Sequence, residues 1–147
     1  MTPILEGSGA VGLRALSLFM GVFLISMGFG KLGWFTDSSF LVAELRGWWG
    51  NAPVFSRWYI DTVAMPGALL FARLVPLGEL ASGAALVVGF RVRLAAGVAL
   101  LMVLNFHFAM GVMFQWAYLT NGFGLPVVGS LAALALGARR LPFSMSR

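Results

Sequence analysis

The chain of 147 residues has no cysteine, a single histidine and only five acidic residues. Without cysteine there are no disulfides, thiol relays or cysteine-ligated iron–sulfur clusters. One histidine among so few carboxylates also leaves no three-ligand zinc constellation. Charge of both signs is scarce, at 10% of residues against 60% hydrophobic, and mean hydropathy is +0.92. Soluble domains of this size rarely carry so much apolar surface. No phosphate loop, catalytic triad or dinucleotide fingerprint is present. Strict apolar–polar alternation is missing too, which argues against a lipid-facing barrel.

What is present is a series of apolar runs separated by short polar stretches. A helical span takes about 20 residues, so the length suits one domain, residues 1–147, with four spans. The pattern predicts an all-α integral membrane four-helix bundle with spans at 11–32, 67–90, 94–117 and 123–138, and an outer amphipathic helical segment between the first two. Arg14 and Lys31 bound the first span, where their long side chains can reach headgroups. The fourth run is the shortest and is rich in Ala and Gly, which suits close packing. Pro126 falls in its first turn, where a missing donor does little harm.

Charge sets the orientation. With both termini cytoplasmic, that side holds Arg14, Arg91, Arg93, Arg139, Arg140 and Arg147, against Lys31, Arg46, Arg57 and Arg73 on the other. The positive-inside rule favours this arrangement. It places Trp34, Trp48, Trp49, Trp58 and Trp116 together on the far side, as an interfacial aromatic belt. A net charge of +5 then reads as topology and attraction to anionic lipid, and no nucleic-acid partner is expected. The first apolar run exceeds a signal-peptide core and has no A-x-A-like site before Lys31, so it reads as a retained anchor.

Residues 33–66 form the one long connection. Asp37 and Ser38 can cap a helix carrying Leu41, Leu45, Trp48 and Trp49 on one stripe. A second short helix can start at Pro53, with Val54, Trp58 and Met65 on one side and an Arg57–Asp61 pair on another. Such helices lie flat on the membrane or cover the bundle mouth.

Three polar side chains interrupt the apolar spans: Glu79 in the second, Asn105 and His107 in the third. An acid within a span is costly and is a functional candidate by default. Glu79 either locks helices together through Asn105 or a backbone carbonyl, or handles protons. Arg73, six residues earlier, is about 9 Å and 120° away on a straight helix, and a kink at Pro76 could turn both charges toward one cavity. Glu79 and Arg73 are therefore the catalytic candidates, and Glu79, Asn105 and His107 the cofactor-binding candidates. Asn105 and His107 stand about 200° apart, so they serve different neighbours. Haem is conceivable only through His107 with Met102, Met110 or Met113, methionines that more often fill cores. No metal is expected.

The residues Arg14-x-Leu16, Gly21, Leu24, Gly28 and Lys31-Leu32 resemble the opening of the DoxX family of small bacterial membrane proteins. The run Gly78-Glu79-Leu80-x-x-Gly83-x-Ala85-Leu86-x-x-Gly89-x-x-x-Arg93-x-Ala95-Ala96, followed by Leu101-Met102 and Asn105, is similar to the family's central signature. The likeness spans nearly the whole chain. Its long connection resembles the branch containing DoxD, the small subunit of thiosulfate:quinone oxidoreductase. Family members often close near Gly-Ala-Gly-Arg, where this chain has Gly137-Ala138-Arg139-Arg140. The resemblance implies a multi-pass protein of the bacterial cytoplasmic (inner) membrane, serving respiratory or sulfur redox chemistry with quinone as the possible cofactor. Its partners would be membrane lipid and other membrane or periplasmic subunits. The alternative is a non-catalytic scaffold or accessory subunit of a larger complex, and a small transporter is a third reading.

Overall fold

The long apolar runs fold mainly as α-helix. The computed structural model describes residues 3–138 and 141–145, with the backbone alone for residues 3–8. Its α-helices are α1 (Pro3–Phe29), α2 (Ser39–Asn51), α3 (Val54–Tyr59), α4 (Ala68–Val88), α5 (Val92–Met110) and α6 (Leu125–Gly137), with no strand among the described residues. A π-helical turn, Ile60–Ala64, continues α3, and 3-10 turns occupy Leu32–Phe35, Val112–Phe114 and Trp116–Leu119.

Three segments are long and apolar enough to cross a membrane: Gly9–Phe29, Ala68–Val88 and Val92–Met110. The expected fourth span is shorter. Helix α6 has 13 residues, about 20 Å against a hydrocarbon core of about 30 Å. The expected third span also stops early, because Gly111 turns left-handed at φ 72° and ends α5 at Met110. Residues 112–119 stay apolar but form 3-10 turns. Apolarity there does not mean helical continuity.

Small residues set the packing. Helices α1 and α4 run antiparallel with Gly21 and Gly83 backbone to backbone, so a Cβ added at either would come 2.8 Å from the other's carbonyl oxygen. Lipid offers no hydrophobic drive for helix association, and close van der Waals packing of this kind replaces it. Further along, Gly28 lies against Leu80 and the Cβ of Glu79. Gly78 instead faces Met102 of α5. Leu24, Leu86, Ala96, Ala99, Leu131 and Leu134 join α1, α4, α5 and α6 in one core.

Two arginines close helix ends. Arg14 donates from Nη1 to the Leu86 carbonyl at 2.9 Å and from Nη2 to the Val87 carbonyl at 2.7 Å, and Ser17 Oγ joins Leu86 at 2.7 Å. These are terminal carbonyls of α4, which lack intrahelical donors and sit at the negative end of the helix dipole. Arg93 does the same for α6, donating from Nε to the Ala135 carbonyl at 3.0 Å. Arg14 therefore turns into the protein, not out to headgroups as its position suggested. Gly89, at φ 74°, ends α4 where a Cβ would lie 2.8 Å from Ser144 Cα. Arg139, Arg140 and Arg147, which entered the orientation argument, lie outside the described residues.

The connection between α1 and α4 packs onto the bundle. Trp34, Leu41, Leu45, Ile60, Ala64, Ala68, Ala72 and Val75 form a second core cluster. Leu41 and Leu45 are buried and Trp48 is half-buried, but Trp49 is exposed. The expected Arg57–Asp61 pair meets through that ring instead: Arg57 Cζ lies 4.8 Å from its centroid, and Trp49 Nε1 donates to Asp61 at 3.1 Å. At the start of α2 the capping oxygen belongs to Asp37, whose Oδ1 accepts the Ser39 N–H at 2.8 Å; Ser38, at the cap position, makes no side-chain cap bond.

Candidate functional site

Glu79 sits midway along α4 and is 8% exposed. A carboxylate so placed needs a partner. Lys31 supplies it, with Nζ 2.8 Å from Oε1 and 2.9 Å from Oε2. This is the one ion pair among the described residues.

The pair depends on where α1 ends. The helix stops at Phe29, and the Lys31 side chain turns back along it, with Nζ also 3.3 Å from the Met27 carbonyl. The rings of Trp34 and Phe106 flank the ammonium at 5.8 and 5.9 Å. Aromatic faces attract a cation most strongly where water is scarce. The pairing of Glu79 with Asn105 is corrected accordingly. A lysine that seemed bound for the headgroups reaches the acid first, because Gly28 lets α1 approach α4 beside Glu79.

Next to the pair lies a cavity of about 560 Å³, within the range of small-molecule sites. Its polar wall comprises Lys31, Glu79, Glu44, His107, Tyr118 and Asn121, and its aromatic wall Phe23, Trp34, Trp48, Phe106 and Phe123. Two of the five tryptophans expected in the interfacial belt thus turn inward. His107 is buried, with Nδ1 2.9 Å from the Tyr118 hydroxyl and the two rings edge to face at 5.3 Å. The other ring nitrogen, Nε2, has no hydrogen-bond partner yet is not sealed from solvent-sized space. His107 borders the cavity. Burial pushes the Tyr118 phenol above its ordinary value, so it remains a neutral donor and acceptor.

The remaining candidates lie elsewhere. Arg73 is exposed and donates to its own helix, Nη1 to the Leu69 carbonyl at 2.6 Å, so the Pro76 helix does not turn it toward Glu79. Asn105 accepts a hydrogen bond from the Tyr59 hydroxyl at 2.5 Å and borders a separate void of about 20 Å³, room for about one water. The 200° separation of Asn105 and His107 thus sends them to different neighbours. Glu79 is central in α4, whereas Asn105 and His107 fall in the last two turns of α5. Among the described residues no three His, Asp or Glu side chains are grouped to hold a metal.

Sequence reasoning missed Lys31, Tyr118 and the inward Trp34, Trp48 and Phe106. Lys31 had a usable signal, since a lone acid within a span demands a cation within reach. Tyr118 had none, because it falls just past the expected span 94–117 and only the turns after Gly111 bring it to His107.

The site therefore belongs to an all-α protein with three membrane-length apolar helices and an aromatic cavity fed by one buried ion pair. Comparisons with family models, curated proteins and solved structures gave no match.

Proposed function

We propose that the chain is a DoxX-type integral membrane subunit of a respiratory or sulfur oxidoreductase of the thiosulfate:quinone kind, and that its cavity takes a quinone headgroup. In this reading α6 completes a four-helix bundle in the bacterial inner membrane, both termini are cytoplasmic, and α2 and α3 lie at the opposite interface. The observation that carries it is the placement of Lys31–Glu79 and His107–Tyr118 on the wall of one aromatic-lined cavity.

The residues suit such a group. A flat, weakly polar ring matches walls of Phe23, Trp34, Trp48 and Phe106, and its oxygens need donors, which Lys31 Nζ and His107 can supply. When bound, a quinone would supply two-electron, two-proton redox chemistry, with electrons arriving from a partner subunit. Glu79 can hold or pass a proton beside the ring, Lys31 keeps that carboxylate oriented, and Tyr118 fixes the His107 ring through Nδ1. In the purified assembly, Glu79→Gln is expected to lower quinone-dependent turnover at least tenfold. Unchanged turnover would remove Glu79 from proton handling.

One observation favours the scaffold alternative. Val54, Phe55, Trp58 and Trp116 are 76%, 70%, 62% and 87% exposed, a surface a protein neighbour could cover. Copurification of a fixed partner without bound quinone would favour that reading.

A further inference from the structure

We infer that the cavity opens sideways into the bilayer between α1 and the Asn121–Gly124 turn, and that its ligand is a chain-bearing amphiphile whose head enters while its tail stays in lipid. The identity of the head rests on the quinone reading; the sideways opening does not.

The position of the mouth follows from which lining residues are also exposed. Of the lining residues that are also exposed, Glu44 of α2 and Asn121 are polar and mark one end of the opening, whereas Ser26 and Met27 on α1, Gly30 just after it and Phe123 just before α6 mark its flank. Met27 is 37% and Phe123 59% exposed, whereas Leu24 and Val127 at the back are 2% and 8%. Ser26 and Met27 belong to a helix of membrane-spanning length and apolarity, so this flank of the opening faces acyl chains. The gap exists because α6 starts only at Leu125. Beside Phe23 the ring that α1 meets is therefore Phe123, in the turn that precedes α6.

Two phenylalanines form the lip. The rings of Phe23 and Phe123 lie 6.0 Å apart at 35°, a packing contact with no hydrogen bond to lock it. The backbone beneath Phe123 is fixed, because its N–H donates to Asn121 Oδ1 at 2.8 Å and the Gly124 N–H to the Asn121 carbonyl at 2.9 Å. The movable part is therefore the ring, and side-chain rotation of this kind is fast. Within the lip the wall turns polar at Lys31, Glu79 and His107. Along this flank the order is apolar outside and charged inside, the one an amphiphile needs to enter head first from a leaflet.

Because the chain has no cysteine, a single Val103→Cys places one thiol on the cavity wall. In lipid nanodiscs its labelling by N-dodecylmaleimide is compared with that by a membrane-impermeant sulfonated maleimide, each rate normalised to a free thiol in the same lipid. Val127→Cys repeats the test from the opposite wall, and Leu101→Cys, on a surface 70% exposed, reports lipid access without the cavity. The expected result is labelling at least tenfold faster by the alkyl reagent at both cavity sites. Adding Phe23→Ala should quicken it severalfold and Phe23→Trp slow it, with Leu101→Cys unaffected. Faster labelling by the sulfonated reagent, no labelling by either, or indifference to Phe23 would overturn the sideways opening. Prior addition of a decyl-tailed quinone should protect the thiol. Unprotected labelling that still follows the Phe23 pattern upholds the opening and counts against quinone as the head.

Discussion

Replacing Lys31 by methionine keeps most of the side-chain stem between Trp34 and Phe106 but removes both contacts to Glu79. Deleting one member of a buried ion pair typically costs about 3–5 kcal/mol, because the other charge is left desolvated. Here the two side chains keep 15% and 9% of their exposure and border a cavity, so the low end applies. The expected loss is about 3 kcal/mol, on the order of a 150-fold fall in the folded-to-unfolded ratio. Glu79→Met should cost less, about 1 kcal/mol, since Lys31 lies beyond the end of α1 and its ammonium can swing out to the headgroups. The double variant has no charge to solvate and should return to within about 1 kcal/mol of the parent. Reversible unfolding in mixed micelles, followed by tryptophan fluorescence, measures all four corners of the cycle. If Lys31→Met costs less than about 1 kcal/mol, or the double variant shows the simple sum of the singles, the pair does not hold this site together.

Gly83→Ala should destabilise by about 1–3 kcal/mol, because the new Cβ would meet the Gly21 carbonyl oxygen and the Ile25 backbone nitrogen within 2.9 Å. Gly97→Ala, with nothing within 4 Å, should instead gain about 0.5–1 kcal/mol in the same unfolding assay. Arg14→Met removes two hydrogen bonds to the end of α4 and should cost about 2 kcal/mol, with hydrogen exchange rising first near Leu86 and Val87. Tyr118→Phe breaks the bond to His107, at about 1 kcal/mol, and should also remove a late step from the ultraviolet titration of the chain's two tyrosines. Burial raises the Tyr118 phenol, so the folded chain keeps that proton where the unfolded chain has lost it. This contribution is fully present below about pH 10 and is lost as pH rises past it, a fall Tyr118→Phe should abolish.

The apolar runs made the helices legible, and the lone acid at position 79 pointed to the right part of the molecule. Helix ends were less legible. Residues 111–117 are as apolar as a span, yet one left-handed glycine converts them to turns and brings Tyr118 to His107. Nor does composition reveal which way a long side chain bends. Arg14 and Lys31 both sit near the ends of an apolar run, where snorkelling is the default, and both turn inward because unpaired carbonyls and a buried carboxylate bind them better than water does. Arg73 did the reverse, staying on the exposed face of a helix whose other side holds Glu79. Asn105 shared a run with His107, but helical rotation sent it to Tyr59.

Photolabelling with an azido-quinone in nanodiscs, with the adducts mapped by peptide mass spectrometry, tests the proposed quinone site most directly. Adducts are expected on cavity-lining residues of segments 23–34, 103–112 and 118–127, and they should fall at least tenfold when excess unlabelled quinone competes. Labelling confined to the lipid-exposed faces of α4 and α6, or indifferent to competition, would contradict a quinone site beside Lys31 and Glu79.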